Sequence, residues 1–206
     1  MVLASKTRRR TRRTQSPRTT LRDVIRNTAR ELFAREGYES VSMRRIAAEI
    51  GCSPMAMYRH FASKEDLLIS ICEETFNGML RVLDMGREQP GTPVEKLRKC
   101  MRLIVDFHIS HPNHFKVTFL TAMPQGQTAE RKAAIAQRAM DRLRTGVREC
   151  AEAKGIEVDI ELTAQMLRTG MHGLASILIN APKSCQYIDP ERLKQEVIVT
   201  LSKQFE

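Results

Sequence analysis

The sequence predicts an all-α protein of about nine helices, three small ones followed by a larger helical unit. Three observations carry this. Apolar residues recur at i, i+3 and i+4 through almost the whole chain after residue 20. Each such stretch opens on Ser, Thr or Asp, or on a residue before Pro, and several close on Gly. There is no Trp and aromatic residues make up only 5%, which argues against a sandwich of aromatic-rich strands.

The elements follow in order. Thr20 to Glu36 aligns Val24, Ile25, Thr28, Leu32 and Phe33 on one stripe, with Gly37 expected as a left-handed cap. Ser42 caps Met43 to Ile50, whose inward residues are Ile46, Ala47 and Ile50, and Gly51 closes it. Ser53 caps a third helix with Pro54 in its first turn, running to about Phe61. Ser63-Lys64-Glu65-Asp66 reads as a capping box for a long fourth helix to about Gly86. Gly91-Thr92-Pro93-Val94-Glu95 starts a helix that continues to about Ser110, where His111-Pro112-Asn113 breaks it. A shorter helix is expected over Asn113 to Ala122, then a loop at Pro124 to Gln127. Long helices follow over Thr128 to Lys154 and Asp159 to Ile179. Asp189-Pro190 opens the last helix, which places Leu193, Val197 and Leu201 at i, i+4 and i+8.

Charge narrows the function. The chain has 206 residues and a net charge of +10, so a polyanionic partner is expected. Residues 1–66 hold 15 Lys and Arg against 7 Asp and Glu, most of the excess. Lys6 to Thr20 has seven cations and no acid, so residues 1–18 read as a disordered basic arm, either a solvated tail or a nucleic-acid contact. No apolar run is long enough for a membrane span, and no apolar stretch follows the basic start as a secretory signal requires. Five scattered cysteines without a C-x-x-C pair suggest reduced thiols in a cytoplasmic protein. No Ser-His-Asp arrangement, paired carboxylate motif, phosphate loop or metal set points to an enzyme or a cofactor.

Met43–Ile50 and Pro54–Phe61, joined through Gly51-Cys52-Ser53, have the spacing of a helix-turn-helix. The second helix offers Met55, Ala56, Tyr58, Arg59 and His60 outward, and such a helix fits a major groove about 12 Å wide. The run Leu32-Phe33, Gly37-Tyr38, Val41 to Ala47, Gly51-Cys52-Ser53 and Tyr58 to Glu65 resembles the DNA-binding domain of the TetR family of bacterial transcription regulators. That resemblance covers about residues 20–68 and implies domains at 19–66 for DNA and 67–206 for ligand and dimer contacts. It implies a homodimer formed through the last two helices, double-stranded DNA as partner and a small apolar effector.

Members often begin the recognition helix with a basic residue and Gly-Thr. Here Pro54, Met55 and Ala56 stand there, so any readout by them is apolar, against thymine methyl groups. Arg59 is the candidate for a guanine edge. Tyr58, His60 and Lys64 resemble the family's phosphate contacts, Arg44 and Arg45 are expected at a phosphate or a base, and Ser42 and Ser53 are further candidate DNA contacts. Tyr58 also suits a half-buried place in the small core. An inert core thiol is the reading for Cys52.

His172-Gly173-Leu174-Ala175 resembles a motif of one C-terminal subgroup of that family, which carries a Trp one turn earlier, where Arg168 stands here. Gly170 and Gly173 allow close helix approach, between subunits or within one. Met79, Met101, Phe107, Met123, Met140, Met166 and His172 are the candidate effector contacts, with Met171 beside them; ordinary core filling is the alternative for each Met. His108, His111 and His114 are spaced like ligands, but Pro112 interrupts them and structural roles are expected.

Overall fold

The computed structural model describes residues 19–122, 124–182 and 188–206, so the basic arm, Met123 and Cys185 lie outside the described residues. Helix α1 (Leu21–Glu36) opens on a full capping box: the Thr20 hydroxyl accepts the Asp23 N–H at 3.2 Å and the Asp23 carboxylate accepts the Thr20 N–H at 3.1 Å. It buries Ile25, Ala29, Leu32 and Phe33. Gly37 has the expected positive φ of 86° but an extended ψ of 145°, so it turns the chain outward rather than completing a left-handed cap.

Helix α2 (Met43–Ile50) is capped by Ser42 and closed by Gly51 in the left-handed region. Helix α3 (Pro54–Tyr58) is capped by Ser53 and ends three residues before the expected Phe61. The His60 and Phe61 N–H groups both turn back to the Met57 carbonyl, which lets Phe61 drop into the core. Helix α4 (Lys64–Arg87) starts at Ser63, but the expected capping box is half made. The Asp66 carboxylate accepts from the Ala62 N–H at 3.3 Å because its other oxygen is drawn to Arg131 at 3.2 Å.

Helix α5 (Pro93–Ser110) has a full capping box from Thr92 and Glu95. The short helix expected next divides into α6 (Pro112–Phe115) and a π-helical turn, Lys116–Leu120. Helix α7 (Gln127–Lys154) begins at Gly126 without a side-chain cap. Helices α8 (Ile160–Asn180) and α9 (Pro190–Ser202) are capped by Asp159 and Asp189, and a closing 3₁₀ turn buries Phe205.

These helices build two cores. In the first, Ile25, Leu32, Ile46, Met57 and Phe61 close on Leu67, Leu68 and Ile71 of α4. In the second, Phe76, Met79 and Leu83 of the same helix meet α5, α7, α8 and α9. Helix α4 therefore belongs to both. So does the π-turn, whose Val117 is buried in the first core while Phe119 packs on the second. The two long helices α4 and α5 approach closely at Gly78, where an added Cβ would lie 2.6 Å from the Phe107 ring. No helix among the described residues is long and apolar enough to cross a membrane.

Candidate nucleic-acid interface and ligand cavity

The first three helices present one outward face. Met57 is fully buried and anchors α3 from below. Above it Met55 is 72% exposed, Tyr58 is 52% exposed, and Pro54 and Arg59 are also exposed. Tyr58 is thus outside the small core. The Ser42 and Ser53 hydroxyls accept the Arg45 and Ala56 N–H groups. Each hydroxyl keeps its own O–H for donation to an oxygen such as a phosphate.

The cations of this face differ in availability. Arg44 is exposed and has no hydrogen bond or ion pair among the described residues. Arg45 lies 2.5 Å from Glu49 and 3.5 Å from Glu36, so an anion must compete with two carboxylates for it. The Lys64 ammonium donates to the Tyr38 carbonyl at 2.8 Å and sits 4.0 Å above the Tyr38 ring. It is folded onto the head and retains two N–H donors. Arg22 was not among the expected residues. It donates to the His60 carbonyl at 2.7 Å and its guanidinium lies 4.3 Å above the Phe61 ring. The start of α1, and with it the junction to the basic arm, therefore sits beside the end of α3. Only an isolated Arg at a helix start marked it in the sequence.

Behind the head, α4, α7 and α8, with Ile104 of α5 and Phe119 of the π-turn, line a partly open cavity of about 70 Å³. Of the candidate effector contacts, Met79, Met140 and His172 line it, with Met171 beside them and Phe76, Leu83, Phe119 and Arg168. Three of the expected contacts lie elsewhere. Met101 is fully buried within the second core, Phe107 covers Gly78, and Met166 points outward and is 56% exposed. Helical periodicity places a residue on a face but does not choose which of two neighbouring interfaces that face serves.

Histidines cluster at one end of the cavity. His108 is 1% exposed and neither ring nitrogen has a hydrogen-bond partner. Its ring lies 5.5 Å from that of His172 and 5.3 Å from that of Phe119. Burial above all, then the neighbouring His172, pushes His108 down to about 3. Burial and then the Arg168 charge push His172 down to about 4, so both imidazoles are neutral near pH 7. His114 is engaged differently, its Nδ1 lying 3.0 Å from the Thr75 hydroxyl. Phe119, Arg168 and His172 also line an outer groove with Thr169, Gly173 and Ser176, so these three side chains form the wall between cavity and surface.

The outer face of α8 is apolar. Leu162, Met166 and Ile177 are 58%, 56% and 54% exposed, and Thr169 and Gly173 on the same side are exposed. Gly170 belongs to the inner side. A Cβ there would lie 2.5 Å from Leu201, so its close approach is to α9 of its own chain. At Gly173 nothing lies within 4 Å, which leaves the outer face open for a neighbour.

Residues 25–71 match the family described as bacterial regulatory proteins, tetR family, and residues 97–201 match the tetracyclin repressor-like C-terminal domain. The chain is 28% identical over 185 residues to the HTH-type transcriptional regulator AcrR of Shigella flexneri, covering 84% of this chain and 85% of that protein. Among solved structures it resembles the TetR family transcriptional regulator PfmR from Thermus thermophilus, with a TM-score of 0.70 and 25% identity over 89% of this chain and 94% of that one. It also shares the fold of FadR from Bacillus subtilis in complex with stearoyl-CoA, with a TM-score of 0.75 and 21% identity over 87% and 96% of the two chains. A head with an open recognition helix, joined by one long helix to a C-terminal bundle that encloses a cavity, thus meets sequence matches over both parts, and the chain belongs to the TetR family of transcriptional regulators.

Proposed function

We propose that this protein is a ligand-released repressor that binds a near-palindromic operator as a homodimer in the bacterial cytosol. The observation that carries the reading is α4, whose early turns pack in the head core and whose later turns, through Phe76, Met79 and Leu83, wall the cavity. A ligand that spreads the cavity must move the helix on which the head is built. Ion pairs tie this helix to its neighbours on both sides, from Arg26 and Arg30 to Glu74, and from Arg131 to Asp66 and Glu73. The relatives are consistent with it: AcrR is a transcriptional regulator and FadR was seen with stearoyl-CoA.

Two heads brought together through the open face of α8 would read half-sites about 34 Å apart or a multiple of it. Met55 with Pro54 and Ala56 meets thymine methyl groups, Arg59 meets a guanine edge, and Arg44, Tyr58, His60, Ser42 and Ser53 fix the register on phosphates. Lys64 and Arg45 join once the phosphate field displaces their present partners. The basic arm adds affinity without sequence preference. The effector acts through differential affinity for two conformations, so effector and DNA weaken each other reciprocally.

The test is selection of binding sites from random duplex DNA at physiological salt. Enrichment of an inverted repeat is the expected result. Strong binding without enrichment would overturn the reading in favour of a general nucleic-acid binder.

A further inference from the structure

The cavity has two chemically distinct ends. Phe76, Met79, Leu83 and Met140 supply hydrocarbon, while Arg168 and His172 stand where the cavity meets the outer groove. No Asp or Glu lines it, and Arg168 feels the charge of Glu161 but makes no ion pair within 4 Å among the described residues. Its guanidinium is the one ionised group of the lining. Directly behind, His108 is buried with both ring nitrogens unpaired. Buried polar atoms of this kind ask for a partner.

Building on the regulator reading, we propose that the effector is a short apolar carboxylate, its chain in the cavity and its oxygens on the Arg168 guanidinium and the His172 ring. The charge follows from the lining: a carboxylate pairs with the Arg168 guanidinium, an alcohol brings no charge to it and an amine is repelled. Neutral His172 adds an N–H donor without competing charge. A turn of its ring, whose centroid is 5.5 Å from that of His108, aims its second nitrogen at His108. His108 is then a positioning residue that fixes the His172 tautomer. Size follows from the 70 Å³ available. That is smaller than the ~150 Å³ that holds a benzene ring, so the chain is short, and six carbons fit only as Met79, Met140 and Met171 yield space.

The experiment is isothermal titration calorimetry of the full chain with hexanoate, hexanol, hexylamine and hexanoyl-CoA. Hexanoate should bind at least about tenfold more tightly than hexanol or hexylamine. Arg168→Gln should lose that tenfold for hexanoate and leave hexanol within about twofold. Arg168 is exposed, so this variant should keep the wild-type thermal unfolding curve. Ala139→Leu, which fills the cavity, should abolish binding of both. Equal affinity for hexanoate and hexanol, indifference to Arg168→Gln, binding of none of the four, or binding of hexanoyl-CoA alone would each overturn the proposal. Anisotropy of the selected operator separates it from the regulator reading. Carboxylate binding that leaves DNA bound keeps the ligand assignment and refutes release, whereas release by hexanol as readily as by hexanoate refutes the carboxylate alone.

Discussion

Substituting Met166→Glu should break the proposed homodimer without unfolding the subunit. Fully burying a side chain of this size is worth about 1.5–3 kcal/mol. Met166 is already partly covered and 56% exposed. Burying the remainder therefore gives about 1.2 kcal/mol, and a two-fold interface uses it twice, for about 2.5 kcal/mol. Losing that contribution raises the dimer dissociation constant about sixtyfold, at about 1.4 kcal/mol per factor of ten. The introduced carboxylates, desolvated and close to their symmetry mates, add to this. Because the position is exposed within the subunit, the thermal midpoint of the monomer should stay within about 2–4 °C. Sedimentation equilibrium over a concentration series, with circular dichroism as the folding control, measures both. A Met166→Glu protein that sediments as the same dimer at the same concentrations would refute α8 as the interface.

Other outcomes follow from particular contacts. Arg44→Ala should weaken DNA binding and lower the salt slope by about one, whereas Glu49→Gln, by releasing Arg45, should strengthen binding; fluorescence anisotropy at several salt concentrations reads both. Deleting residues 1–18 should flatten the same slope with little change in the preferred sequence, and an unchanged slope would make the arm a bystander. Gly170→Ala gains about 1 kcal/mol of helix propensity but sets its methyl 2.5 Å from the end of the Leu201 side chain, so urea unfolding should show little net change, and the gain should emerge when Leu201→Ala is added. His108 and His172 titrate below their ordinary value in the folded chain, so the unfolded chain binds more protons as pH falls. Their contribution is intact above about pH 6.5 and is lost toward the folded values, by roughly 1 kcal/mol per histidine between pH 7 and pH 5.5. Urea midpoints should fall over that interval, and His108→Leu should make the fall shallower.

The helix starts were legible because capping is local. Thr20, Ser42, Ser53, Ser63, Thr92, Asp159 and Asp189 each stand at the predicted boundary and each accepts the N–H three residues on. Helix ends were less so, since Phe61 leaves α3 to fill a core built partly by α4. The π-turn was invisible for the same reason. Nothing in Lys-Val-Thr-Phe-Leu distinguishes it from an α-helical segment, and the need to serve two cores arises only in three dimensions. Of the cavity, Met79, Met140 and His172 were readable as apolar-face residues. Met101, Phe107 and Met166 share that pattern yet serve the interior, the α4–α5 contact and the outer face. Arg168 drew attention only as a departure from a family motif, and His108 only as part of a spacing that suggested a metal. Its orphaned nitrogens are a property of the packing.

The π-turn also bears on how far this protein can be treated as interchangeable parts. Val117 lies within a segment that a cut anywhere between α3 and α5 would assign to the C-terminal half, yet its side chain completes the core of the N-terminal half. A chimera that grafts this reading head onto another relative's bundle would inherit whatever residue that relative presents at the same place. An isolated head would keep an unfilled socket where Val117 belongs. Compatibility between grafted halves should therefore depend on one side chain distant in sequence from the junction.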